Sequence, residues 1–193
     1  MLPFSLAAGL SCPTHAVLAA ALAAEFHPVD ERGVDEALDA LAAALAPTRD
    51  EHPVEQLDEL RRTMEAFAVD DAPLDPDALL IDTVIDRLAG HPATLAVIGC
   101  SAAQRAGLDV GVLAAGPGAL RAAHRALEPP RAAWRCAHQV AFVLLAEQIE
   151  RAQRCGDIAA ALRAGELRLE LPLGPGARTR VEGELAMLRA LLN

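Results

Sequence analysis

Aromatic side chains are almost missing from this chain: 3 % of its 193 residues, with one Trp, four Phe and no Tyr. A core must therefore be built from Ala, Leu, Val and Ile, which favours closely packed helices. Lysine is absent, so all 17 basic residues are Arg, set against 27 Asp and Glu for a formal net charge of −10. Nucleic-acid binding needs a basic stripe to displace counterions and aromatics on which single strands stack. Neither is present, and an anionic membrane surface is disfavoured for the same reason. No apolar run reaches the length of a membrane span. The first 26 residues, "MLPFSLAAGLSCPTHAVLAAALAAEF", have no Arg and are interrupted by "SCPTH", which disfavours a secretory signal. The residues before Cys12 do not suit lipidation, and a cytoplasmic protein is expected. The four cysteines, Cys12, Cys100, Cys136 and Cys155, show no short repeated spacing. A chain of this length with 53 % hydrophobic residues has no need of disulfides, so reduced thiols are expected.

What the chain does have is helical periodicity. Val34, Leu38, Leu41 and Leu45 form one stripe, and Val54, Leu57, Met64 and Phe67 a second. Leu80, Val84 and Leu88 form a third, with Asp75-Pro76 before it as cap and first turn. Val181, Leu185, Leu188 and Leu192 form a fourth. Pro and Gly place breaks at His27-Pro28, Ala46-Pro47, Ala72-Pro73, Gly90-His91-Pro92, Gly116-Pro117-Gly118, Pro129-Pro130 and Gly174-Pro175-Gly176. The helix after Pro92 is apolar all round until Gln104-Arg105, which marks it as the central helix, surrounded by protein. "GLDVGVLAA" then gives a strand from Val110 to Ala114, and Val110 to Trp134 leaves room for two or three small strands. From Cys136 onward the chain reads as paired helices turned by Gly156-Asp157, similar to a tetratricopeptide unit. The expected fold is mainly α, an α+β arrangement with a small residual sheet. Residues 1–136 form its core, and residues 137–193 form a helical tail packed on that core as one cooperative unit.

Three stretches, "IDTVIDRLAGHPATLAVIGCSAAQRAGLDV", "GPGAL" and "ERAQRCGDIAAALRAGELRLELP", resemble the SirB-type transglutaminase-like proteins. That family joins a transglutaminase-like core to tetratricopeptide-like C-terminal helices. The resemblance implies a cysteine nucleophile at the start of the central helix, a histidine base on the next strand and an Asp or Asn to orient it. The nucleophile position falls on Pro92–Thr94, the histidine after Pro-Gly becomes Ala119, and no Asp or Asn occurs between Asp109 and Asp157. The chain thus resembles a catalytically degenerate member.

Cys100 lies some seven residues inside the central helix, beyond the turn where the helix dipole lowers a thiol pKa, and is expected in the core. His124 and Arg125 are expected at the surface. Cys136-x-His138, with Cys155 a helix away, and Cys12-x-x-His15 each supply half a metal site without a second half. Cys12-x-x-His15 is expected to be a helix start instead, with Pro13 as first residue and Ser11 or Thr14 as cap. Asp70, Asp71, Asp75, Asp77 and Asp82 crowd one stretch, but two prolines and no glycine disfavour a calcium loop there. "AAGPGALR" lacks the Lys-Ser/Thr or third glycine of a nucleotide loop.

No cofactor and no metal are expected. The reading is a non-catalytic protein- or peptide-binding or regulatory protein, leaning away from an enzyme. The alternative is a thiol-dependent acyl transferase or hydrolase using Cys100 or Cys136 with His124 or His138. The expected partner is a protein or peptide, with neither nucleic acid nor membrane.

Overall fold

The computed structural model describes residues 2–70, 75–116 and 118–190. Asp71 of the acidic stretch, the Ala72-Pro73 break, Pro117 and Leu192 lie outside them. The chain is mainly helical with a small sheet. Its helices are α1 (Phe4–Gly9), α2 (His15–Ala23), α3 (Glu31–Leu45), α4 (Pro53–Met64), α5 (Ile81–Arg87), α6 (Pro92–Arg105), α7 (Ala137–Arg154), α8 (Ile158–Glu170) and α9 (Pro175–Ala190). Two short strands, β1 (Ala68–Val69) and β2 (Ala89–Gly90), pair in parallel. Three more, β3 (Val110–Ala114), β4 (Leu120–His124) and β5 (Trp134–Arg135), form an antiparallel sheet in the order β4-β3-β5.

α6 is the helix on which the fold is organised. Pro92 occupies its first turn, where a missing N–H costs nothing, and His91 Nδ1 accepts the Ala93 N–H at 3.3 Å. Ten consecutive or near-consecutive positions from Ala93 to Ala103 are buried, including both polar residues Thr94 and Ser101. The helix stops at Gly107, whose φ of 84° only glycine takes without strain. There the Gly107 N–H bonds the Gln104 carbonyl and the Leu108 N–H bonds the Ala103 carbonyl, closing a Schellman turn that feeds β3. α2, α3, α5 and α7 pack around α6, and β3 and β4 cover another side.

Glycine at position 111 of β3 is a packing requirement. A Cβ there would stand 2.9 Å from the Trp134 ring and from Arg125 Nη2. Those two groups stack on each other over the strand, with the guanidinium 4.6 Å from the ring centre.

One continuous core takes side chains from both halves of the sequence: Phe4, Leu18, Leu38, Ile81, Val97, Ile98, Leu144, Leu145 and Leu167 all belong to it. α7, α8 and α9 share a smaller cluster around Ala152, Ala161 and Leu188. The tail is tied to the N-terminal helices by polar contacts as well. His138 Nε2 donates to the Ala8 carbonyl at 3.0 Å, Arg151 donates to the Asp75 carbonyl at 2.8 Å, and Arg163 pairs with Glu25.

Several local expectations change. Thr14, not Ser11, caps α2, and Pro13 lies before the helix rather than in its first turn, because the Thr14 hydroxyl accepts the Val17 N–H. Asp75-Pro76 opens a 3-10 turn over Pro76–Leu79 instead of α5 itself. The third stripe ends early: Leu88 sits in the left-handed region at φ 49° and is exposed. On α4 Val54 is exposed, and Gln56 is buried among the apolar residues. No helix among the described residues is long and apolar enough to cross a membrane.

Candidate functional site

The resemblance places the thiol nucleophile of its family at the first turn of α6. Here that turn carries Pro92, Ala93 and Thr94. Thr94 is fully buried, and its hydroxyl donates to the Leu79 carbonyl at 3.1 Å, so its proton is committed to the fold. Ala119 is exposed in the turn of the β3–β4 hairpin, where the Ala115 N–H bonds its carbonyl.

Cys100 lies two helical turns beyond Ala93, on the same side of α6. It is fully buried and its Sγ lies 3.7 Å from the Val110 carbonyl of β3, the position of a weak S–H donor. Burial pushes the thiol up to about 12, outweighing a small opposing effect of Arg125. The nucleophilic thiolate is thereby suppressed across the physiological range.

His124 is buried, which corrects the surface placement; Arg125 beside it is exposed. The reason is that both ring nitrogens find partners. Nδ1 accepts the Ala126 N–H at 3.2 Å, and Nε2, 2.9 Å from Gln56 Oε1, is then the donor nitrogen. Gln56 in turn donates to the carbonyls of Arg49 and Glu51, so the pair closes the α4 turn onto the end of β4. A histidine with both nitrogens occupied inside the fold has no free nitrogen with which to take a substrate proton.

Cys136 caps α7 and is exposed, its own N–H held by Gln139 Oε1 at 3.2 Å. His138 is half-buried and turned to Ala8, and residues two apart at a helix start do not share a face. Cys155 is exposed at the far end of α7, about 28 Å along the helix axis from Cys136. His15 points to the Arg135 carbonyl at 3.2 Å, and burial lowers its pKa. In the acidic stretch, Asp75 and Asp77 pair with Arg87, and Asp82 pairs with His27 at 3.1 Å. The four candidates Cys100, His124, Cys136 and His138 thus lie in separate environments, and no group of three metal-ligating side chains converges among the described residues.

What the structure does assemble at the start of α6 is a groove of about 400 Å³. α4 contributes Leu57, Leu60 and Met64, the segment after it Phe67, α6 Leu95 and Gly99, and β4 Leu120 and Ala122. Arg61 and Arg121 stand at its rim; Arg61 pairs with the exposed Asp58 and Arg121 with the half-buried Glu128. The lining residues Leu57, Met64 and Phe67 were visible in the sequence as a core stripe; here they are half-buried, one side packed and the other open. The overlooked signal was Gly99, the one position of α6 facing them that has no side chain. A Cβ at Gly99 would meet Leu60 and Met64 at 3.6 Å, ordinary contact distance, so the glycine leaves room that the packing does not demand.

Comparison with known proteins bears on this same region. Residues 32–122 match the transglutaminase-like superfamily. No curated protein and no solved structure matches the chain. The matched segment runs from the start of α3 through α6 and ends inside β4, and it contains every lining residue of the groove.

Thiol titration checks the environments of the cysteines. With a chromogenic disulfide at neutral pH, the folded protein is expected to titrate three thiols at the ordinary rate of exposed cysteine, from Cys12, Cys136 and Cys155. The fourth, Cys100, is expected only after denaturant is added. A thiol reacting far faster than free cysteine would revive the enzyme alternative.

Proposed function

We propose that this protein is a catalytically degenerate, SirB-type member of the transglutaminase-like superfamily whose cleft holds a protein or peptide segment without acyl transfer. One observation carries the reading. At the position where transglutaminase-like chemistry needs a thiol, the first turn of α6 offers Pro92, Ala93 and a hydroxyl already bonded to Leu79, and an apolar groove opens beside it. Side chains such as Leu, Met and Phe suit a partner's apolar residues, and the two rim arginines suit acidic residues flanking them. Helices α7 to α9 form a tetratricopeptide-like tail that completes the core rather than a second module.

The test is occupancy of the groove. A fluorescent peptide with two apolar residues between acidic ends is expected to bind the wild-type protein with a Kd on the order of 10 μM. Gly99→Leu adds carbons beyond a Cβ that already meets Leu60 and Met64 at 3.6 Å, and in protein whose cooperative melt is verified it is expected to weaken that binding at least about tenfold. Equal binding by wild type and Gly99→Leu would place the peptide elsewhere and overturn the reading.

A further inference from the structure

β4 is an edge strand, because the sheet order is β4-β3-β5. The β3–β4 ladder is bracketed by two bonds, Ala115 N–H to Ala119 and Arg125 N–H to Asp109. With the observed register, Gly111–Ala123 and Leu113–Arg121 are therefore the hydrogen-bonded pairs. Val112–Ala122 and Ala114–Leu120 are the alternate pairs, so the N–H and C=O groups of Leu120 and Ala122 point away from β3. No other group among the described residues takes them up. Toward its other end β4 is closed by the bond between Gln56 on α4 and His124, which leaves Leu120–Ala122 as the open stretch.

That stretch is one wall of the groove. The same two residues therefore present unpaired backbone donors and acceptors and line an apolar floor. A helix has no backbone groups to give them, and a small apolar molecule would leave them unpaired; an extended main chain matches both. Resting on the groove reading above, we infer that the partner binds as an added strand on β4. It is an extended segment with apolar side chains at alternate positions, directed into the groove toward Leu60, Leu95 and Gly99, and with an acidic residue at its ends for Arg61 and Arg121. The Arg61–Asp58 pair is exposed on both sides, hence weak and exchangeable, and Arg121 keeps an exposed guanidinium although its partner Glu128 is half-buried.

The test uses a labelled peptide, Glu-Thr-Val-Thr-Leu-Thr-Glu, and two N-methylated versions, one methylated on Val and Leu, the other on the three Thr. Alternate amides of an added strand face opposite ways, so one version is expected to bind at least about tenfold more weakly and the other like the parent. Loss with the Val/Leu set reports antiparallel addition, loss with the Thr set parallel addition, and either supports the proposal. If both versions bind like the parent, or both lose binding equally, strand addition is overturned and the groove reading stands. If none of the three binds, both fall. Ala122→Pro removes only an outward N–H and spares the β3 ladder, so it is expected to weaken the parent peptide with the melt unchanged. A concentration-dependent dimer that Ala122→Pro abolishes would show a second copy on this edge and overturn the peptide assignment.

Discussion

Cys100→Asp is expected to abolish the cooperative melt or lower its midpoint by more than about 10 °C. The side chain it replaces is fully enclosed by α6 and β3, with only the Val110 carbonyl within hydrogen-bonding reach, and a carbonyl repels a carboxylate. An unpaired buried carboxylate costs several kcal/mol even after its pKa rises, a large share of the roughly 5–15 kcal/mol that holds a domain together. Cys100→Ala is the calibrating partner. It removes only the sulfur, leaves a small cavity and is expected to cost about 1–2 kcal/mol. A Cys100→Asp melt indistinguishable from wild type would show the residue open to solvent, and α6 would not be the central helix.

Truncation after Arg154 is expected to give an insoluble or non-cooperative product. It removes α8 and α9, and with them Leu167 and Leu171, both buried in the main core beside residues of the N-terminal helices. Two such leucines stand for about 3–6 kcal/mol of burial, before the ion pair from Arg163 to Glu25 is counted. The cut also uncovers the apolar face of α7, including the contacts around Ala152 and Ile149. A helix pair of this kind has no core of its own and needs a neighbour to cover its stripe. If fragment 1–154 were soluble and melted cooperatively, the tail would be an independent module and the single-unit account would be wrong.

The parts of the fold that local physics determines were readable from the residues. Gly90-His91-Pro92 marks the entry of α6, its apolar surround marks its burial, and β3 falls on Val110–Ala114 as its pattern implies. Gly156-Asp157 turns α7 into α8, with Asp157 accepting the Ala160 N–H as the cap. What was not readable depends on partners distant in sequence. His124 looks like a surface residue until Gln56, 68 positions earlier, is brought to its ring. Gln56 looks exposed until the Arg49 and Glu51 carbonyls need a donor. The groove was hidden for a related reason. An apolar stripe says that Leu57, Met64 and Phe67 seek apolar neighbours, but not that Gly99 leaves their outer side uncovered. That the first turn of α6 carries no cysteine was legible because it needs only a residue type at the start of one helix. The open β4 edge was not, since it depends on sheet order.

The most direct test of the central claim is an amide chemical-shift titration of the ¹⁵N-labelled full-length protein with the unmodified peptide. The shifts are expected to concentrate on Leu120–Ala122 of β4, Leu95–Gly99 of α6 and the Leu57–Phe67 side of the groove. Residues around Cys136 and His138 are expected to stay in place. Shifts centred on Cys136 and His138, with β4 and α6 unperturbed, would contradict the proposed binding groove between α4, α6 and β4.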